Sequence, residues 1–140
     1  MPAESPPFSP TVALLAVGRA WEGEFAERLK PLGLTTRNFG LLGHVRGAPG
    51  ISFSELARRS RVTVQSVHAA VVAFVEAGLV DDGTASAGSA SSLCVTVEGE
   101  SLLAQAAEVV ARLDEEFTAK HPGLADALRA QMGQVLGEKR

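Results

Sequence analysis

Arg58, Arg59 and Arg61 stand within four positions of one another, and Gln65, Ser66 and His68 follow closely. Guanidinium groups are permanent cations whose fork of N–H donors matches phosphate oxygens. Amide, hydroxyl and imidazole groups carry the mixed donors and acceptors that can pair with base edges. Together these residues offer the chemistry of holding a polyanion and reading its surface, with no bond made or broken. Charge is distributed to match. Residues 28–61 hold seven basic side chains (Arg28, Lys30, Arg37, Arg46, Arg58, Arg59, Arg61) against Glu55 alone, a net of +6. Residues 62–118 hold Arg112 against nine acids, a net of −8, and the whole chain of 140 residues stands at −3. The basic block is thus a local asymmetry of the kind that attracts a polyanion. The plainer alternative is a set of solvated helix faces.

Other chemistry finds little support. His44, His68 and His121 are far apart and lack the short spacing of metal ligands. One cysteine, Cys94, excludes an intramolecular disulfide and cannot form a thiolate zinc cluster by itself. It reads as a small, half-buried hydrophobe on a strand. Glu115 and Glu116 are adjacent, so on a helix they point apart, and no nucleophile–base pair is evident. The expectation is a protein that is not an enzyme and needs no cofactor and no metal. Hydrophobic residues make up 46% of the chain and charged ones 21%, enough to fill one core without a membrane-crossing run or a signal segment. A cytoplasmic protein with no membrane partner is expected.

The elements that must position these residues are signalled by caps and breakers. Residues 1–9, rich in Pro and Ser, are expected to be disordered. Ser9-Pro10 opens a first helix running to about Lys30, with Leu14, Trp21, Phe25 and Leu29 at helical spacing and Pro31 and Gly33 as its stop. Thr35 caps a second through Val45, and GAPG breaks the chain. Ser52-Phe53-Ser54-Glu55 has the form of a capping box, in which the Ser hydroxyl takes a first-turn N–H and the Glu reaches back. The short helix that follows turns Leu56 and Ala57 inward and Arg58 and Arg59 outward. After Arg61-Val62, Thr63 caps a further helix through Ala77, with Val67, Ala70, Val71, Phe74 and Val75 as its apolar stripe and Gly78 as its stop. Two helices joined by so short a turn form a helix-turn-helix. Leu79-Val80-Asp81 and Leu93-Cys94-Val95 are the strands of a hairpin about the polar DGTASAGSASS. Thr96 caps a long helix, about Val97 to Ala119, with a stripe from Leu102 to Phe117. His121-Pro122-Gly123 precedes a last helix carrying Leu124, Leu128, Met132, Val135 and Leu136.

In LTTRNFGLL, in ISFSELARRSRVTVQSVHAAVVAFVEAGLV and in VTVEGESLL, the chain resembles the multiple-antibiotic-resistance regulator (MarR) family from about Leu34 to Glu116. The resemblance implies a mainly α fold with a small β wing, a winged helix-turn-helix flanked by N- and C-terminal dimerisation helices. On that reading 10–140 is a single module: 10–33 and 97–140 form the dimer base, and 34–96 the winged head. It implies a homodimer that binds double-stranded operator DNA and releases it to a small aromatic effector, anionic ones included. Two departures stand out. Family members carry Arg near the position of Ala69, with further basic residues near Ala73 and Ala77, and an Asp-Arg-Arg wing whose arginine enters the minor groove. Here the wing is Ala, Gly and Ser, rimmed by Asp81 and Asp82. Weak or unusually salt-sensitive DNA binding is expected.

The interface expected from helix geometry places Gln65, Ser66, His68 and Ala69 in the groove. Arg37, Arg58, Arg59 and Arg61 are set on phosphates, with Arg46 at longer range, and Ser52 and Thr63 sit at helix starts that offer free N–H groups. An effector cleft is expected from Trp21 and Phe25 meeting Phe39, Leu42, Gly43 and Val45. Gly40 and Gly43 either leave room there or allow close helix packing, with packing favoured. Two functions follow: a ligand-responsive transcription regulator, or a relative that has lost DNA binding and holds a small molecule or a protein partner.

Overall fold

The computed structural model describes residues 4–83 and 92–137; the tip of the expected wing, 84–91, and the side chain of Leu136 lie outside the described residues. Six helices and one hairpin follow in chain order: α1 Pro10–Leu29, α2 Thr36–Gly47, α3 Phe53–Ser60, α4 Val64–Glu76, β1 Val80–Asp81, β2 Cys94–Val95, α5 Val97–Lys120 and α6 Pro122–Gly137. A short 3₁₀ turn, Lys30–Leu32, ends α1, and Gly33 closes it at φ 70, a left-handed conformation that glycine adopts without steric cost.

Local chemistry starts each of the first five helices. Ser9, Thr35, Ser52, Thr63 and Thr96 each accept a hydrogen bond from the backbone N–H three residues on. That satisfies one of the donors a helix start leaves without a partner. The capping box at α3 is only half formed. Ser52 Oγ accepts from Glu55 N at 3.1 Å, but the Glu55 carboxylate turns instead to Arg58 and Arg59.

One core joins α2–α4 and the hairpin to Leu29, Leu34, Leu103 and Ala106. Leu41, Leu42 and Val45 of α2, Leu56 and Ala57 of α3, and Val67, Val71 and Phe74 of α4 are buried together with Ile51, Val80 and Leu93. Val75, expected on the inner stripe of α4, is exposed. The strands pair antiparallel, Val80 with Val95 and Asp81 with Cys94, and Leu93 bridges to Ile51. Cys94 faces outward and is exposed, not half-buried as expected, because the register turns its neighbour Leu93 to the core.

The junction between the hairpin and α5 is built at Thr96. Its hydroxyl donates to the Gly78 carbonyl at 2.6 Å and accepts from Gly99 N at 3.1 Å, while its N–H donates to the Leu79 carbonyl at 3.0 Å. Gly99 is buried at this crossing. A Cβ there would overlap the Leu79 carbonyl oxygen and a Val95 methyl. The T-x-E-G piece is thus the fitting between the hairpin and α5. α5 then buries Leu103, Ala106 and Leu113 against its own chain, and Arg28 of α1 meets Glu116 through two hydrogen bonds of 3.0 and 2.6 Å.

Candidate nucleic-acid interface and effector cavity

The helix-turn-helix is α3, the turn Arg61–Thr63, and α4. Burial of Val67, Val71 and Phe74 fixes how α4 is rotated, and the opposite face carries Val64, Gln65, His68, Ala69, Val72 and Ala73, all exposed. The imidazole of His68 lies flat on Phe53 of α3, ring centroids 4.2 Å apart and planes 9° apart, so one face is covered and its edge is presented. Ser66 fits its expected role poorly. It is half-buried, and its hydroxyl accepts from Thr63 Oγ1 at 2.9 Å in the cap of α4. Gln65 and Ala69 remain uncovered.

Most of the basic block is ion-paired at the surface of its own chain. Arg28 pairs with Glu116, Lys30 with Glu27, and Arg46 with Glu100. Arg58 and Arg59 share Glu55, at 2.5 and 3.0 Å. Those hydrogen bonds, from Arg58 first and then Arg59, hold the Glu55 carboxyl down to about 2 from its usual 4.5. Arg37 and Arg61 have no ion pair among the described residues. Arg61 is also the turn itself. It sits at φ 55, a left-handed conformation uncommon for a residue with a side chain, and accepts that strain while facing solvent. Arg58, Arg59, Arg61 and His44 line a hollow of about 500 Å³. A second hollow of about 250 Å³, bearing Arg37 and Gly40, shares His44, Arg59 and Arg61 with it. The structure therefore brings together Arg37, Arg58, Arg59 and Arg61, as expected, and ties Arg46 to α5. His44, two helical turns after Arg37 on α2, joins them.

The apolar cavity differs more from expectation. It has a volume of about 410 Å³ between α1, α2, α5 and α6, and its walls include Trp21, Phe25, Phe117, Leu124 and Leu128. Trp21 meets Phe117 of α5 edge to face at 5.0 Å, a ring outside the expected set, and Phe25 meets Phe39 at 5.4 Å. Leu42 is fully buried in the head core, Gly43 is exposed, and neither they nor Phe39 line the cavity. A Cβ on Gly40 or Gly43 would meet open space, so close helix packing is not the reason for either glycine. Among the described residues no group of three or more His, Cys, Asp or Glu side chains could hold a metal, and no helix is long and apolar enough to cross a membrane.

A core shared by α2–α4, a hairpin returning to a long helix, and a second helix of the motif with one face uncovered define a winged helix-turn-helix protein. Residues 32–88 match the model of the MarR family. The chain is 32% identical over 108 residues to an HTH-type transcriptional repressor of Mycobacterium tuberculosis, Rv2887, across 76% of this chain and 78% of that one. It belongs to the MarR family of transcription regulators. Among solved structures, Rv2887 in complex with DNA superposes with a TM-score of 0.77 at 27% identity, covering 94% of this chain and 99% of that chain. The same protein in complex with p-aminosalicylic acid gives 0.73 at 29%, covering 93% and 99%. Apo MarR from E. coli, at 20% identity, shares the fold with a TM-score of 0.78, covering 94% and 99%.

Proposed function

We propose that the protein is a homodimeric, cytoplasmic transcription regulator that holds double-stranded operator DNA and yields it to a small aromatic effector, acting by binding alone. The observation that carries this is the uncovered face of α4 just after Arg61, which shares a hollow with Arg37; these are the two cations of the block without an ion pair among the described residues. Gln65 pairs with a base edge, Ala69 and Val72 meet thymine methyls, and His68 offers its edge. Arg37 and Arg61 take phosphates, joined by the N–H groups at the Ser52 and Thr63 helix starts. Arg58 and Arg59 contribute less, since Glu55 already claims them. The wing, with Asp81 and Asp82 at its base, contributes little. Residues 34–96 form the DNA-reading head, and 10–33 with 97–140 the dimer base. The cavity beside Trp21 is the effector site; the salicylate complexes of Rv2887 support an aromatic occupant.

The test is a salt titration of binding to the protein's own promoter region. Arg61→Ala is expected to lower the salt slope by ~0.9 and to weaken all sequences alike. Arg58→Ala lowers it less, and Glu55→Gln tightens binding to every sequence. Gln65→Ala instead relaxes preference at one base pair, at roughly 1–3 kcal/mol. A second reading, a relative that has lost DNA binding and holds a small molecule or protein, is favoured by the pairing of Arg28, Lys30, Arg46, Arg58 and Arg59. Absence of promoter binding at low salt selects it.

A further inference from the structure

Two cavities flank the Trp21 ring, and their charge is alike. The larger carries a single ionisable side chain, Glu22, and one further polar group, Thr36; the smaller, of about 200 Å³, carries Asp114 among Trp21, Phe25, Val110 and Leu113. Neither is lined by Lys, Arg or His. Of the two cations of α1, Arg28 is occupied by Glu116, and Arg19, three residues before Glu22, lines neither cavity; His121 packs on Phe117 at 5.4 Å but likewise lines neither. An aromatic carboxylate entering here would find no cation on either cavity's walls, and would bring its own charge beside one of the same sign. A cation meets the opposite situation, because aromatic faces and a carboxylate both attract it. Thr36 Oγ1 donates to Glu22 Oε1 at 3.2 Å and pins that carboxylate at the cavity wall.

We infer that the effector of the larger cavity is a lipophilic organic cation of one or two rings, its charge held at Glu22 and its rings against Trp21 and Phe117. This rests on the effector-site reading above and adds the sign of the charge, opposite to that of the salicylates bound by Rv2887. Leu14, Val17 and Leu128 at the cavity rim are exposed in the single chain, so the competing occupant is a segment of a second copy.

The experiment compares two fused-ring probes of opposite charge, N-methylquinolinium and naphthoate, on the full chain in its solution oligomer at fixed ionic strength. Binding is read by calorimetry and by Trp21 fluorescence; Trp21 is the only tryptophan. The cation is expected to bind about tenfold more tightly, and Glu22→Gln, which keeps an oxygen to accept from Thr36, to weaken it about tenfold. The same variant leaves naphthoate unchanged or tighter. Naphthoate binding as tightly as the cation, or a cation indifferent to Glu22→Gln, overturns the inference. If naphthoate binds beside Trp21 and releases promoter DNA, the effector-site reading stands and the charge assignment falls. If neither probe binds while promoter DNA is held, the second copy fills the cavity and both fall, leaving the DNA-binding reading intact.

Discussion

Glu55 shows how one side chain can reset the reading of its neighbours. It sits three and four residues before Arg58 and Arg59, and its carboxylate takes hydrogen bonds from both. The spacing was open to view in the sequence, since pairs at i, i+3 and i, i+4 meet on a helix. A capping box would commit the same carboxylate to the backbone, and in the folded chain the guanidinium groups outcompete it. A cation that already has a partner adds less to phosphate binding. DNA binding by this chain is therefore expected to be weak with a shallow salt slope, not an unusually steep one. The pairing also sets a pH dependence. The Glu55 carboxyl is held at about 2 in the folded protein against 4.5 ordinarily, because the hydrogen bonds from Arg58 and Arg59 favour the ionised form. A depressed carboxyl means that the unfolded chain binds the proton first. Its stabilising share is thus complete above 4.5 and is lost as the pH falls towards 2. Thermal melts across that window should show Glu55→Gln less stable than the wild type at neutral pH, with the two converging near the acid end. Parallel curves at every pH would show that the pairing contributes nothing to folding.

Among the elements, the junction of the hairpin with α5 is the most tightly specified. Thr96 joins three backbone groups, and Gly99 lets the helix approach Leu79 and Val95 more closely than any residue with a Cβ could. Gly99→Ala must move backbone and is expected to destabilise by about 1–3 kcal/mol or more, as over-packing does. Gly43→Ala, in the middle of α2 with open space at its Cβ, provides the control and should gain up to about 1 kcal/mol from helix propensity. Urea midpoints of the two variants decide the matter. Equal effects would mean that Gly99 is not a packing requirement.

For the whole molecule, the outer helices are too long for what their own chain buries. α1 has 20 residues and buries only Leu29; the described side chains of α6 include none that are buried. Val12, Leu14 and Met132 are 66%, 64% and 55% exposed, and Leu15 and Val135 lie open beside them. Such a face on a small protein marks an interaction surface. The α5 stripe, expected to share in that interface, is instead largely spent within the chain, with Leu103, Ala106 and Leu113 buried. A homodimer built on α1 and α6 is predicted. Sedimentation at micromolar concentration should give a dimer for the wild type and a monomer for Leu14→Glu combined with Met132→Glu, with helical content of the head retained. A wild-type monomer would sink the prediction.

The sequence by itself determined where the first five helices begin, and that Val67, Val71 and Phe74 of α4 turn inward. The five N-caps, Ser9 to Thr96, act over three residues, and the apolar period of α4 repeats within one or two turns, so both are written in neighbouring letters. The helix-turn-helix, its uncovered Gln65 and Ala69, and the resemblance to the family all follow from signals of that range. The tertiary structure alone decided which cations stay unpaired and which rings make the cavity. Arg28 is neutralised by Glu116, 88 residues away, and Arg46 by Glu100 across the α2–α5 contact. Trp21 finds Phe117, far along the chain in α5, and Leu42, apolar and well placed by spacing, is drawn into the core and away from the cavity. Pairing and packing of this kind depend on how the helices cross, and a crossing is set by the sum of many small contacts. No local spacing records that sum.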